Sequence, residues 1–279
     1  MKSKRIFIKI IYAVITIFAV LVFNYFLFRV LPGDPLAVLA RNPKASPEML
    51  EATRRLFGLD QPWYVQFFQY FKNMLTGDLG TSYYFRQPVA SVIGSRIMPT
   101  VIMVGLAEVV AIILGIAMGV VAAWKRGTKL DLGTLGFSLI TYSMPTFWLG
   151  MVLVVIFSIN LHLFPTSGIL TPGMTYPTIA AMLADYIRHL IMPMFTLSIV
   201  LFGEYALTMR NTLIDVLSED YITTAKAKGF SNGYVLRKHA MPNAMLPIVT
   251  IIAMNLGLVV AGTIQMETVF SWPGLGSLM

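Results

Sequence analysis

Five stretches of this chain, approximately 7–29, 99–123, 132–159, 190–209 and 244–264, are apolar over about 20 residues or more, the length a helix needs to cross a hydrocarbon core. Nothing else constrains the fold as strongly. In a bilayer every backbone N–H and C=O must find a partner within the protein, and a helix supplies those partners segment by segment. Composition points the same way: with 57% hydrophobic and 12% charged residues in a chain of 279, too little polar surface exists to cover a water-soluble domain. The expected fold is an all-α integral membrane protein, a polytopic helical bundle. It divides into residues 1–98, an N-terminal anchor span followed by an insertion, and 99–279, a core transmembrane domain that carries the polar loop 210–243.

Charge sets the expected orientation. Lys2 to Lys9 carries four basic residues, Lys125 to Lys129 three and Arg210 to Lys238 five. If the five spans alternate, all three segments fall on one side, and positively charged short loops mark the cytoplasm. The N-terminus, 124–131 and 210–243 are therefore expected inside, and 31–98 and 160–189 outside. The first span follows Lys2, Lys4, Arg5 and Lys9 as a signal peptide would, but its apolar core is too long and no small-x-small cleavage site follows, so it reads as an uncleaved anchor. The net charge of +8 does not indicate nucleic acid, because the basic residues cluster at the ends of apolar spans and not on one soluble face. A basic loop of this kind also suits anionic membrane lipid.

Residues 31–98 are too polar to span and too apolar to be disordered. Ser46, Pro47, Glu48 and Glu51 form a helix-start signal that runs to Gly58. Trp63, Phe67, Tyr70 or Phe71, and Met74 recur at helical spacing, which suits an aromatic-faced helix lying at the membrane interface or packed on the protein's own loops.

Little in the spans carries chemistry. There is no cysteine, no Gly-Lys pair of a phosphate-cradling loop, no nucleophile elbow, and His162, His189 and His239 lie far apart without a second ligand at metal spacing. The chain is expected not to be an enzyme and to need no cofactor or metal. Glu108 is the one ionisable residue well inside a span, with Glu204 nearer an end. Its burial is costly, so it marks either a hydrogen bond to a neighbouring helix or a transport pathway. Gly115 and Gly119 form a small-xxx-small pair that permits close helix packing, within the chain or across a subunit boundary. Pro145 interrupts the third span and Pro193 begins the fourth. Two related halves and several intramembrane charges, which an ion-coupled carrier would more often show, are not evident.

The polar stretch Asp220 to Pro247, DYITTAKAKGFSNGYVLRKHAMPNAMLP, has internal order. Glu219 and Asp220 open a first short helix, Lys226 and Lys228 close it at Gly229, Ser231 opens a second, and Pro242 stops it. This string resembles the cytoplasmic loop of ABC importer permeases, whose pattern runs Glu-Ala-Ala, Gly, Ile-x-Leu-Pro. Thr223, Thr224, Ala225, Gly229, His239, Met241 and Pro242 stand at the corresponding positions, with Ala225, Gly229 and Pro242 matching outright. The departures at Thr223 and His239, and the strings AKAKGF and KHAMPNA, resemble the dipeptide, oligopeptide and nickel branch of these binding-protein-dependent permeases. So do LPGDP at 31–35, FGLDQPW at 57–63, TGDLGTS at 76–82 and ETVFSWPGLGSLM at 267–279.

The resemblance implies a fold of the type I ABC importer permease kind. It also implies two separate ATPase subunits, a second homologous permease subunit and an extracytoplasmic substrate-binding protein as partners in a prokaryotic plasma membrane. Its cargo would be di- or oligopeptides, with nickel, glutathione or oligosaccharide as alternatives. Asp220, Tyr221, Thr224, Ala225, Ala227, Lys228, Gly229, Arg237, His239 and Pro242 would form the ATPase-coupling loop. Members of the branch continue beyond the last motif into a sixth span, so a sixth span is expected to be missing at the C-terminus. The rival reading is a self-sufficient channel or ion-coupled carrier whose basic loop binds lipid; that role needs charge, but not a fixed Gly229 and Pro242.

Overall fold

The structure is a computed structural model that describes residues 2–30, 51, 54–55, 58–82, 84–261 and 263–279. The helix expected from Ser46 to Gly58 and the 31–35 string fall largely outside the described residues. The described residues are helical apart from turns and connections, and their one β pairing is an isolated bridge between Thr81 and Pro88. Four helices are long and apolar enough to cross a membrane, or five if one bent pair is counted as a span. The chain is thus an all-α polytopic membrane protein, and it separates into two compact units, Met1–Ala90 and Ser91–Met279.

The first unit holds α1 (Lys2–Val30) and α2 (Trp63–Thr76). The aromatic face of α2 finds its partner on α1. Phe71 meets Phe18 at a ring-centroid distance of 5.2 Å, Phe67 meets Tyr25 at 5.1 Å, and the Tyr25 hydroxyl donates to Trp63 O at 2.7 Å. The stripe packs on the first span, where the sequence suggested the interface or a loop. Gly77 ends α2 in the left-handed region, at φ 75°, which a residue without Cβ adopts readily.

The second unit contains α3 (Val89–Trp124), α4 (Lys129–Ser143), α5 (Thr146–Leu153), which continues as a π-helical turn over Val154–Asn160, and α6 (Ile179–Leu217). It ends with α7 (Asp220–Ala227), α8 (Met241–Ala261) and α9 (Ile264–Val269). The 36 residues of α3 and 39 of α6 exceed what a membrane core of about 30 Å requires at 1.5 Å per residue. Residues 89–98 and 179–189, read from the sequence as connections, are therefore the polar starts of these helices. Ser95, Arg96, Asp185 and Arg188 lower hydropathy without breaking a helix. Pro193 accordingly lies inside α6, not at its start.

The third span is broken. Its halves, Lys129–Ser143 and Thr146–Asn160, meet at 103°. A residue before proline is pushed out of the α region, and Met144 has ψ 134°, so the chain turns where Pro145 was expected only to interrupt the ladder.

Gly115 and Gly119 pack against α6 of the same chain. A Cβ on Gly115 would lie 2.6 Å from Tyr205 Cβ, and one on Gly119 would lie 2.7 Å from Ala206 O. Gly203, which the sequence reading passed over, gives α4 the same approach, with Ser138 O at 2.6 Å from a Cβ built there. Two apolar clusters result. One is rich in alanine and joins α3, α6, α7 and α8 around Met209, Leu213 and Ile248. The other is built from larger side chains and gathers Met103, Leu149, Leu190 and Met192 around Phe270 and Trp272.

Candidate functional site

The segment after α6 is organised largely as its residues prescribe. Asp220 stands in the first turn of α7 and Lys226 in the last, each complementing the helix dipole. Gly229 then reverses the chain at φ 82°, its N–H donating to Lys226 O at 2.9 Å. Ser231 caps the next turn, Asn232–Tyr234, by accepting from Tyr234 N at 3.4 Å. From there the path departs from the expected stop at Pro242. A π-helical turn over Val235–Ala240 leads directly into α8, and Pro242 lies in the first turn of that continuing helix. Proline breaks a helix by lacking an N–H and crowding a preceding carbonyl; a wider turn just before it shifts the hydrogen-bond register and lets the helix pass.

The two halves are welded to the spans. Ile222 and Ala225 of α7, with Val235 and Ala240 of the π turn, are buried against Met209 and Leu213 of α6, Ala123 of α3, and Ala244 and Ile248 of α8. The outer face carries the other candidate residues. Asp220, Tyr221, Thr224, Ala227, Lys228, Arg237 and Pro242 are exposed, while Ala225 is in the core. Thr224 Oγ1 donates to Asp220 O at 2.9 Å, and the Tyr221 hydroxyl accepts from Asn243 Nδ2 at 2.8 Å. His239 stacks on Phe230 at 5.9 Å and meets Tyr234 edge-on at 5.7 Å; its Nε2 is buried without a hydrogen-bond partner among the described residues. Phe230 and Tyr234, which the sequence reading did not single out, thus present an exposed aromatic surface.

Beside this segment lies an ion pair that the sequence reading used only as scattered charge. Asp131, near the start of α4, receives Arg210 in a two-pronged contact, Nε to Oδ1 at 2.5 Å and Nη2 to Oδ2 at 2.9 Å, and also accepts from Gly127 N at 2.9 Å. The signal was present in Thr128 capping a helix with an acid in its first turn, but its partner lies 79 residues away.

Glu108 does not stand with the coupling segment. It is buried on α3 and accepts from the Tyr205 hydroxyl of α6, which in turn accepts from Asn255 Nδ2 of α8 at 3.1 Å; Asn255 also reaches Glu204 at 3.5 Å. The arrangement supplies the interhelical hydrogen bond that was one of the two readings of Glu108. A second buried acid, Glu267, closes the last motif: it accepts from Thr100 Oγ1 at 2.8 Å and Ser277 N at 2.7 Å, while Trp272 Nε1 donates to Pro99 O at 3.0 Å. At the start of α6, Asp185 accepts from Thr171 N at 2.7 Å and from the Tyr176 hydroxyl at 2.5 Å, fastening the preceding connection. Among the described residues no group of acids and histidines is placed to hold a metal ion.

Comparison with known proteins gives coherent matches. The family described as binding-protein-dependent transport system inner membrane component matches residues 111–279, and the N-terminal family of the same membrane components matches residues 3–104. The glutathione transport system permease protein GsiC of Escherichia coli strain CFT073 is 40% identical over 264 residues, covering 95% of this chain and 81% of that protein. Proteins of the same name from Shigella dysenteriae serotype 1 and Shigella boydii serotype 4 are 39% identical over the same share of each chain.

Proposed function

Because the chain belongs to the family of inner membrane components of binding-protein-dependent transport systems, and is thus a permease subunit of an ABC importer, we propose that it carries short peptides, with glutathione among them. Glutathione enters this reading from the relatives' names, and the peptide class from the branch that the motifs resemble. The importer would pair this subunit with a second permease. Two ATPase subunits would dock at residues 220–242, and a binding protein would deliver cargo on the opposite side. The basic residues of 2–9, 125–129 and 210–238 favour placing the N-terminus and the docking segment in the cytoplasm. The pathway drives no chemistry of its own, and ATP hydrolysis falls to the partner.

One observation supports the coupling role above the rest: Ile222, Ala225, Val235 and Ala240 are buried among α3, α6 and α8 while Tyr221, Phe230 and Tyr234 of the same segment remain exposed. A lipid-binding patch requires neither feature. A partner that grips the exposed face moves the spans as a rigid body, and ATP-dependent closure supplies the differential interaction that any such shift requires.

The test is reconstitution in liposomes of this chain with the second permease and the binding protein, with and without the ATPase pair. Uptake of trialanine or glutathione against a gradient is expected only when the ATPases and ATP are present. Accumulation without them would contradict the importer reading and favour an ion-coupled carrier.

A further inference from the structure

A helix break and the end of a span meet at one cavity. The break is the 103° turn between α4 and α5 at Met144 and Pro145; the end is that of α8 at Ala261, with Thr263 extended at φ −125° and ψ 90° before α9 starts at Ile264. Between them is a cavity of about 310 Å³ lined by Thr146, Leu197, Thr263, Ile264, Gln265 and Met266. Non-helical backbone within a membrane-spanning segment is tolerated where it lines a water-accessible space or is covered by protein, and the break at Met144 and Pro145 beside this cavity fits the first case. The lining described carries two hydroxyls and one amide and no charged side chain. One of those hydroxyls, Thr263 Oγ1, is buried and has no hydrogen-bond partner among the described residues. A buried hydroxyl left unpaired is costly unless something other than the chain itself satisfies it.

We infer that this cavity is part of the translocation pathway, and that Thr146, Thr263 and Gln265 take hydrogen bonds from the amide backbone of the cargo. The inference rests on the peptide reading proposed above and makes it specific. Hydroxyls and a carboxamide can donate to a peptide carbonyl and accept from a peptide N–H, whereas the absence of a charged lining side chain gives no purchase on a bare ion. Leu197, Ile264 and Met266 supply apolar walls that accept side chains of varied shape. Such a site would recognise what all short peptides share and remain indifferent to their sequence. Glu108 is no part of it, since it does not line this cavity.

The sequence has no cysteine, so single introduced thiols report cleanly. In the full complex with its second permease, ATPases and binding protein, Thr146→Cys and Gln265→Cys are expected to react with a charged, membrane-impermeant thiol reagent. Their rate should exceed that of Ile113→Cys, an exposed apolar position on α3, by about tenfold or more, the contrast expected between a wetted site and a lipid-facing one. Saturating trialanine or glutathione should slow the reaction at both cavity positions and leave Ile113→Cys unchanged. If both cavity thiols react no faster than Ile113→Cys, the cavity is not part of the pathway, whatever the complex transports. If they react but neither amide compound protects them, the amide-backbone assignment fails.

Thr263→Val gives an independent reading. As a near-isosteric change it removes an unpaired hydroxyl, so a merely structural Thr263 would leave thermal stability equal or higher and uptake unaltered. The inference predicts unaltered stability with KM for trialanine raised about tenfold, the scale of one lost hydrogen bond to cargo. Unchanged KM in a stable, assembled complex would overturn the role of Thr263. Should the complex fail to show ATP-driven uptake at all, the proposed function fails on that assay, while the accessibility result still judges the cavity.

Discussion

The two ends of α8 are built on opposite principles. Its 21 residues span about 31 Å at 1.5 Å per residue, from the π turn at Ala240 to its end at Ala261. At the first end helices pack close: Ala111, Ala123, Ala225, Ala240 and Ala244 are buried at the contacts, Gly115 and Gly119 admit α6 to backbone distance, and Asp131 grips Arg210. At the other end the α4–α5 pair is broken and α8 ends, the core is made of bulky residues, and a polar knot around Glu267 holds the last motif to Thr100. Small residues at a contact leave few rotamers and little freedom to slide, whereas broken helices beside a cavity can part without losing a continuous ladder. On the proposed function, the difference teaches where force would enter and where the path would open: at the welded end and at the broken end respectively.

The largest effect is expected at the ion pair of the welded end. Asp131→Ala leaves the Arg210 guanidinium, 15% exposed, without its carboxylate, and breaking such a pair costs about 3 kcal/mol or more. Thermal unfolding in detergent should show the loss, and Arg210→Met added to it should recover part. If Asp131→Ala melts like the wild type, the pair does not hold α4 to α6.

Gly119→Val comes next. The added side chain meets Ala206 O and Met209 Cβ, and overpacking of that kind costs about 1–3 kcal/mol. Gly257→Ala, where a Cβ meets nothing within 4 Å, serves as the control and should be nearly silent. Equal effects of the two would mean that the close approach of α3 and α6 is not what stiffens this end.

A smaller loss is expected at Gly229→Val. A Cβ there has open space, so the penalty comes from φ 82° alone, about 1–2 kcal/mol for a residue held left-handed. Since the spans do not depend on it, insertion should be normal while ATPase co-purification and uptake fall. Normal uptake would remove the turn from the coupling argument.

The smallest effect belongs to the broken end. The hydrogen bond to the Asp185 carboxylate holds the Tyr176 phenol above its ordinary pKa. A raised folded-state pKa means that the contact's contribution is complete below the ordinary phenol range and fades as pH climbs through the raised value. Hydrogen-exchange protection in residues 171–178, taken relative to the intrinsic rate at each pH, should therefore fall only at strongly alkaline pH in the wild type, and be lower across the neutral range in Tyr176→Phe.

Much of the welded end was legible in sequence because its signals are local. Gly229, Ser231 and the acids at 219–220 act on their own turns, and the Gly115 and Gly119 spacing announces one helix face. What was not legible depends on neighbours. Pro145 and Pro242 carry the same missing N–H, yet one accompanies a 103° break and the other sits in the first turn of a continuing helix, as Pro193 sits inside α6; a proline's own residue type does not tell which outcome its neighbours impose. Hydropathy reported the apolar middle of α3 and α6 and missed their polar starts. The partners of Asp131 and Glu267 lie 79 and 167 residues away, beyond any local pattern.

The central claim is that the segment around residues 220–242 is where the ATPase takes hold, and one cross-linking measurement addresses it directly. In the assembled complex a single Tyr234→Cys, bearing a short bifunctional reagent, should link to the ATPase subunit and abolish ATP-driven uptake, while Thr171→Cys, beyond the other end of α6, should link to no ATPase and leave uptake intact. An ATPase cross-link at Thr171→Cys, or full uptake with no cross-link at Tyr234→Cys, would contradict the account.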